Sequence, residues 1–339
     1  MGTKNYVFAA LPPTAERDYL LDQIRRAHHY RNKLCELELQ RRIAAEETIR
    51  RIDPEYAASA VLVDAAIAAL AAARQAVKAV RAAERKRVRP TAEQAEAIAA
   101  AKSALAAVSE KTKAAKARAY STLKERQQPY WAEAETAVLD PKLTPTARTK
   151  LIRRNAMAAM AADNIDAGQN AYELARQQAR ADCGCYWGTY SMIEEACKDF
   201  GTGTPPKFKR WRGYGAVAVQ LQGGLSSGAA LLGENQLLRL DIPNEGDLYQ
   251  LGNLHGSRSI GTTHFRIGSV GRAPRWAVLP TRFHRPLPRN GDIRQAFIHC
   301  SVTPRGEQWK LRITVKEPDV VDTSRNDKVV ALHLGWRCM

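Results

Sequence analysis

Residues 204–222 read TPPKFKRWRGYGAVAVQLQ, and within them the chain changes its periodicity. Up to Gly201 the sequence is rich in Ala and charged side chains and almost free of Gly, the composition of long helices. From Gly213 onward, short β-rich runs are separated by Gly, Pro and Asn. The stretch itself alternates cations with rings, Lys207, Lys209, Arg210 and Arg212 with Phe208, Trp211 and Tyr214. An extended segment of this kind can send its cations to phosphates while its rings pack or stack on bases. The same pattern also fits a linker whose stems and rings cover the edge of a sheet.

Six strands are expected after the junction: 216–222, 235–242, 263–270, 275–283, 293–303 and 308–318. Pro304-Arg305-Gly306-Glu307 is the hairpin loop between the last two. With KNYVFAAL near the N-terminus they make one antiparallel barrel, into which the helices from Pro12 to Phe200 are inserted.

The first helix starts at Pro12-Pro13-Thr14, with Thr14 as N-cap, and its apolar Leu20, Ile24, Leu34, Leu37 and Leu39 recur at helical spacing. A second runs from Tyr56 to about Arg87 and stops before Pro90. Thr91 with Gln94 three residues on is a capping box that restarts the chain. The two Ala-rich helices form an antiparallel hairpin, each arm roughly 45 Å long at 1.5 Å per residue. The hairpin is either a solvated coiled-coil spacer or an arm that touches nucleic acid, and its tip carries Arg85, Lys86, Arg87 and Arg89. Further helix extends from Pro145 to about Phe200, where Tyr186, Trp187 and Tyr190 either pack in a core or stack on bases.

The 339 residues carry 52 Lys plus Arg against 35 Asp plus Glu, a net charge of +17 that favours a polyanionic partner, nucleic acid before an anionic membrane. No uninterrupted apolar run of about 18 residues and no signal-like N-terminus stands out, so a cytoplasmic protein is expected. Six cysteines include Cys183-Gly184-Cys185 but no CxxC, so buried or free thiols are expected and neither a metal site nor a cofactor. The histidines lack HxxxH or HExxH spacing, and no Walker loop or GxGxxG follows a strand.

The terminal run VVALHLGWR at 329–337, YW-x-x-x-Y at Tyr186, Trp187 and Tyr190, and KFKRWRGYGAVAVQLQ at 207–222 together resemble the N-terminal half of a type V-M CRISPR effector. The resemblance implies an α+β multidomain fold: a split oligonucleotide-binding wedge barrel, an inserted helical recognition lobe, and the first strand of a truncated RuvC-like domain. Its boundaries fall at 1–12 for the first barrel strand, 13–203 for the helical lobe with the hairpin at about 56–126, 204–324 for the barrel and 325–339 for the RuvC-like strand.

In that family the terminal strand carries an aspartate where this chain has His333. Two-metal cleavage needs several carboxylates around hard Mg²⁺ ions, for which imidazole is a poor ligand. The chain also stops before the segments that would supply the other carboxylates, so no cleavage is expected. The resemblance implies an RNA-guided binder of double-stranded DNA that silences transcription, a monomeric ribonucleoprotein with guide RNA and target DNA as partners. Phosphate or guide contacts are expected from Lys207, Lys209, Arg210, Trp211 and Arg212, from Arg25, Arg26 and Arg31 on the first helix, from the hairpin tip, and from Lys310 and Arg312. The alternative is an architectural basic protein that self-associates through the Ala-rich hairpin and uses no guide.

Overall fold

A computed structural model describes residues 3–83, 90–140, 142–231, 233, 237–242, 259–270, 273–285, 287–288 and 290–316. The chain divides into two compact units. The first takes the described residues of Met1–Arg31, Cys183–Lys198 and Lys209–Met339; the second takes Asn32–Asp182 and Asp199–Phe208.

Among the described residues, the first unit is built on one antiparallel sheet of seven strands, β1 (Thr3–Ala10), β2 (Gly215–Ser226), β3 (Leu238–Asp241), β4 (Ser259–Val270), β5 (Ala273–Phe283), β6 (Asp292–Thr303) and β7 (Gly306–Lys316). Their order is β2-β6-β7-β1-β5-β4-β3, so the N-terminal strand lies between two strands from the far end of the chain. Alternate residues point inward, as the period of two in a strand requires: Tyr6, Phe8 and Ala10 on β1, and Trp309, Leu311, Ile313 and Val315 on β7. On β6 the inward set steps from Ile293 to Ala296, because a bulge between Ile293 and Gln295 resets the parity. Within the core, the Thr281 hydroxyl donates to the Leu279 carbonyl at 3.0 Å, so Thr263 is the donor in its 2.9 Å bond to Thr281.

The expected closed barrel is not what forms. Among the described residues β2 and β3, the two end strands, share no ladder. β3 is only four residues long and pairs with β4 alone, and β2 is irregular between Gln220 and Leu225, which leaves too little matched backbone to zip the ends. The sheet still curls, since β2 approaches β4. A short helix (Ser227–Leu231) packs against both end strands and fills the opening with side chains instead of hydrogen bonds.

Helix α1 (Thr14–Ile52) begins in this unit, where Leu20 and Ile24 join the core of the sheet. Its cap is Pro13 and not Thr14: the Pro13 carbonyl accepts the first helical bond, from Arg17 at 2.8 Å, with Thr14 already helical. Proline at the boundary supplies a fixed φ, and the N–H that it lacks is one that the start of a helix would have left orphaned anyway. Helix α6 (Trp187–Ala196) guards the free edge of β2, where Thr189 Oγ1 accepts from the Ala218 N–H at 3.2 Å.

The second unit is helical. Helix α2 (Pro54–Ala83) starts two residues earlier than expected because Asp53 caps it, its Oδ1 accepting from the Tyr56 N–H at 2.9 Å with Pro54 at the first helical position. Helix α3 (Ala92–Ala137) opens on the Thr91–Gln94 capping box and runs on beyond the bound of about 126 expected for the hairpin, with Pro129 inside it. Tyr56 and Ala60 on α2 meet Ala119 and Leu123 on α3 in one cluster with Ile49 of α1. Val61 and Leu62, on the other side of α2, are 61% and 60% exposed. By length and composition alone, Pro54–Ala79 is long and apolar enough to cross a membrane, although Asp64 breaks the run. The helical stretch expected from Pro145 to about Phe200 comprises α4 (Pro145–Ala162) and α5 (Gln169–Asp182) in this unit and α6 in the first.

Candidate nucleic-acid interface

The basic junction is held through its backbone, which leaves its cations outside. In the second unit Glu38, 2% exposed, accepts from Arg41 and from Arg42 Nε at 2.9 Å. The fork of Arg42 then donates to the carbonyls of Phe200 at 2.6 Å and Gly203 at 3.0 Å. A guanidinium anchored on a buried carboxylate is a rigid two-pronged clamp for these two carbonyls. Lys207 and Phe208, four and five residues past Gly203, are exposed.

In the first unit the carbonyl of Lys209 accepts from His28 Nε2 at 2.8 Å, which fixes the neutral imidazole as the Nε2–H tautomer. The indole of Trp211 lies 5.4 Å from the His28 ring at 64° and packs against the core of the sheet, half-buried. Trp211 therefore anchors the segment, and what the segment presents to solvent is Lys209, Arg210, Arg212 and Tyr214. Arg210 and Arg212 make no ion pair among the described residues, so their charge is uncommitted.

On α1 the three expected arginines differ. Arg25 is exposed and makes no ion pair among the described residues; Arg26 is exposed but bonded to Asp22 at 2.6 Å; Arg31 is only partly exposed. Tyr186, Trp187 and Tyr190 are all half-buried, with Tyr186 against the core of the sheet and its ring 5.9 Å from that of Trp187.

Lys310 and Arg312 stand exposed on the outer face of β7. The register puts Lys310 beside Ala9 of β1 and His299 of β6, and Ala9 beside Arg282 of β5. Arg282, Lys310 and His299 thus form one row across four strands, with Arg312 two residues along β7. No acidic residue stands at any position of 5–9, 276–283, 295–301 or 308–314. Burial, together with Lys310 and then Arg312, holds the His299 imidazole below its ordinary range. Arg282 and His299 were missed in the sequence. Their outward parity in RWAVLPTRF and IRQAFIHCSVT was readable, but only the register brings them to Lys310.

The hairpin-tip cations Arg85, Lys86, Arg87 and Arg89, the strand 325–339 and His333 lie outside the described residues. Among the described residues, no group of three or more His, Cys, Asp or Glu side chains is placed to share a metal ion. Cys35 and Cys300 are buried and in no disulfide, and burial pushes the Cys300 thiol up to about 11.

No protein-family model matches the chain. Comparison with curated proteins finds a CRISPR-associated DNA-binding protein Cas12m from Mycolicibacterium mucogenicum, 30% identical over 197 residues, 52% of this chain and 32% of the relative. A second protein of that name, from Pelobacter propionicus, is 23% identical over 214 residues, 53% of this chain and 32% of its own. A third, from Thermanaerosceptrum fracticalcis, is 23% identical over 181 residues, 51% and 27% of the two chains. The chain is similar to Cas12m proteins. The likeness covers about half of it at low identity and supports a type V-M-like family; the matched part spans about a third of the length of the Cas12m relatives.

Proposed function

We propose that this chain acts in an RNA-guided DNA-binding effector that occupies double-stranded DNA and blocks transcription without cutting it. The observation that carries this is the likeness of half the chain to several proteins named as CRISPR-associated and DNA-binding. The free cations of Arg210 and Arg212 and the acid-free outer face around Lys310 and Arg312 agree with it, since phosphate contacts need exposed charge that no carboxylate has already neutralised. In this proposal the sheet acts as the oligonucleotide-binding wedge and the helical unit as the recognition lobe, gripping guide RNA and the guide–target heteroduplex through their backbones. Residues 325–339 would be a RuvC-like strand kept for its fold, with His333 where a metal-binding aspartate would stand. The working form would be a monomeric ribonucleoprotein in the cytoplasm.

The test is a reporter gene whose promoter matches a guide carried by a repeat array expressed with the chain. Expression should fall while the reporter plasmid stays intact. Plasmid cut at the matched site would overturn the non-cleaving part, and expression equal to that with an unmatched guide would count against targeting. A second reading, self-association of a basic architectural protein, draws on the exposed Val61 and Leu62 of α2. Light scattering that gives a monomer at all concentrations removes it.

A further inference from the structure

The row on the outer face of the sheet supports a more specific statement. Neighbouring strands lie about 4.8 Å apart, so Arg282 and Lys310, separated by one strand bearing only Ala9 in that row, are about 10 Å apart across a shallow trough. Lys310 and Arg312, two residues apart on one strand, are about 7 Å apart. That is on the scale of one nucleotide step, so the two cations can take successive phosphates of one strand.

We propose that Arg282, Lys310, Arg312 and His299 form a docking face for a phosphodiester backbone, in which His299 is a proton-linked contact. The inference rests on the nucleic-acid reading above and adds to it the location and the coupling to pH.

The electrostatics follow from what surrounds His299. Directly opposite it on β7 is Lys310, with Arg312 next along that strand; on its other side β2 offers Ala216, and on β6 itself the outward neighbours are Phe297 and Ser301. Lys310 and Arg312 are the charged groups that act on it, and both oppose its protonation. The empty face therefore holds a neutral imidazole at neutral pH, with two fixed cations beside it.

Phosphates seated on Lys310 and Arg312 offset the positive field that these cations place on His299. Their negative charge now favours the imidazolium, whose N–H groups can donate to a phosphate oxygen. The pKa of His299 is then higher in the complex than in the free chain, and binding takes up a proton. By linkage, affinity rises as the pH falls through the interval between the two values, around and below about 6.5. Above that interval His299 is neutral in both states and the linkage vanishes.

The test measures fluorescence anisotropy of the whole chain with a labelled RNA stem-loop in one arm and a labelled DNA duplex in the other, at about pH 6 and about pH 8. The wild type should bind roughly three- to tenfold more tightly at the lower pH. His299→Gln should flatten that dependence relative to the wild type, isolating it from the other histidines. His299→Lys should bind tightly at both pH values. Arg282→Ala with Lys310→Ala should weaken binding at both and reduce the salt slope by about two.

All four positions are on the surface, and circular dichroism verifies that each variant is folded. Unchanged affinity in the double variant, or a pH dependence in His299→Gln equal to that of the wild type, overturns the docking face while leaving nucleic-acid binding standing. Failure of the wild type to bind either probe overturns both. The arm that shows the pH dependence identifies the polymer.

Discussion

Arg42 Nη2 holds the carbonyl of Phe200 at 2.6 Å, while its Nε is bonded to the buried carboxylate of Glu38. One side chain thus ties the segment before the basic junction to α1. Arg42→Ala should cost about 1–3 kcal/mol, because it removes charge-assisted bonds and strips Glu38 of a partner while leaving it buried. Arg42→Lys should not restore the loss, since an ammonium cannot serve Glu38, Phe200 and Gly203 with a planar fork. Chemical denaturation checks both.

Much of this architecture is legible in the sequence. The spacing of Leu20 and Ile24, the alternation in QWKLRITVKEP, and the Thr91–Gln94 box are local patterns, and local periodicity specifies local structure. The cap of α1 was misread because proline and threonine are both good boundary residues, and only the Arg17 to Pro13 bond decides between them. Barrel closure was misread because it depends on whether β2 and β3 meet, which neither strand encodes by itself. The interface was half legible: Lys310 and Arg312 stand out as outward cations, whereas Arg282 and His299 acquire meaning only from register.

The junction of α1, α2 and α3 should be sensitive to acid. Glu46 accepts from Tyr56, from Lys116 at 2.8 Å and from Arg50 at 3.1 Å. Burial pushes its carboxyl up, but the bonds from Lys116, Tyr56 and Arg50 together outweigh this and leave it below the ordinary range. A depressed carboxyl stabilises the fold above its unfolded value, about 4.3, and that stability is lost as the pH falls through the lower folded value. Thermal melts between about pH 5 and pH 3 should show a steeper loss in the wild type than in Glu46→Gln. The Tyr56 hydroxyl, pushed up to about 12 by burial and by Glu46, stays a donor throughout, and Tyr56→Phe should cost about 1 kcal/mol.

Gly261 lets β4 approach β3 closely. A Cβ there would sit 2.2 Å from the Asp241 carbonyl oxygen and about 3 Å from the Phe283 ring. Backbone cannot move aside without breaking the ladder, so Gly261→Ala should destabilise the chain by about 1–3 kcal/mol and loosen the end strand β3 first. Hydrogen exchange at Leu238 to Asp241 reads this directly.

Arg210 and Arg212 bear on affinity and not on stability. Replacing both with Ala should leave the melting temperature within a degree or two, because neither forms an ion pair among the described residues. It should weaken polynucleotide binding across all sequences and lower the slope of log K against log salt by about one for each cation removed. Affinities measured over a series of salt concentrations test it.

The central claim is that the chain works with a guide. Its most direct test is to purify the chain from cells that also express a CRISPR repeat array and to sequence the RNA that stays bound after a high-salt wash. The account predicts one discrete small RNA that carries the repeat, enriched over total cellular RNA and lost progressively as salt rises. Bound RNA with the same composition as the cell's total pool would contradict it.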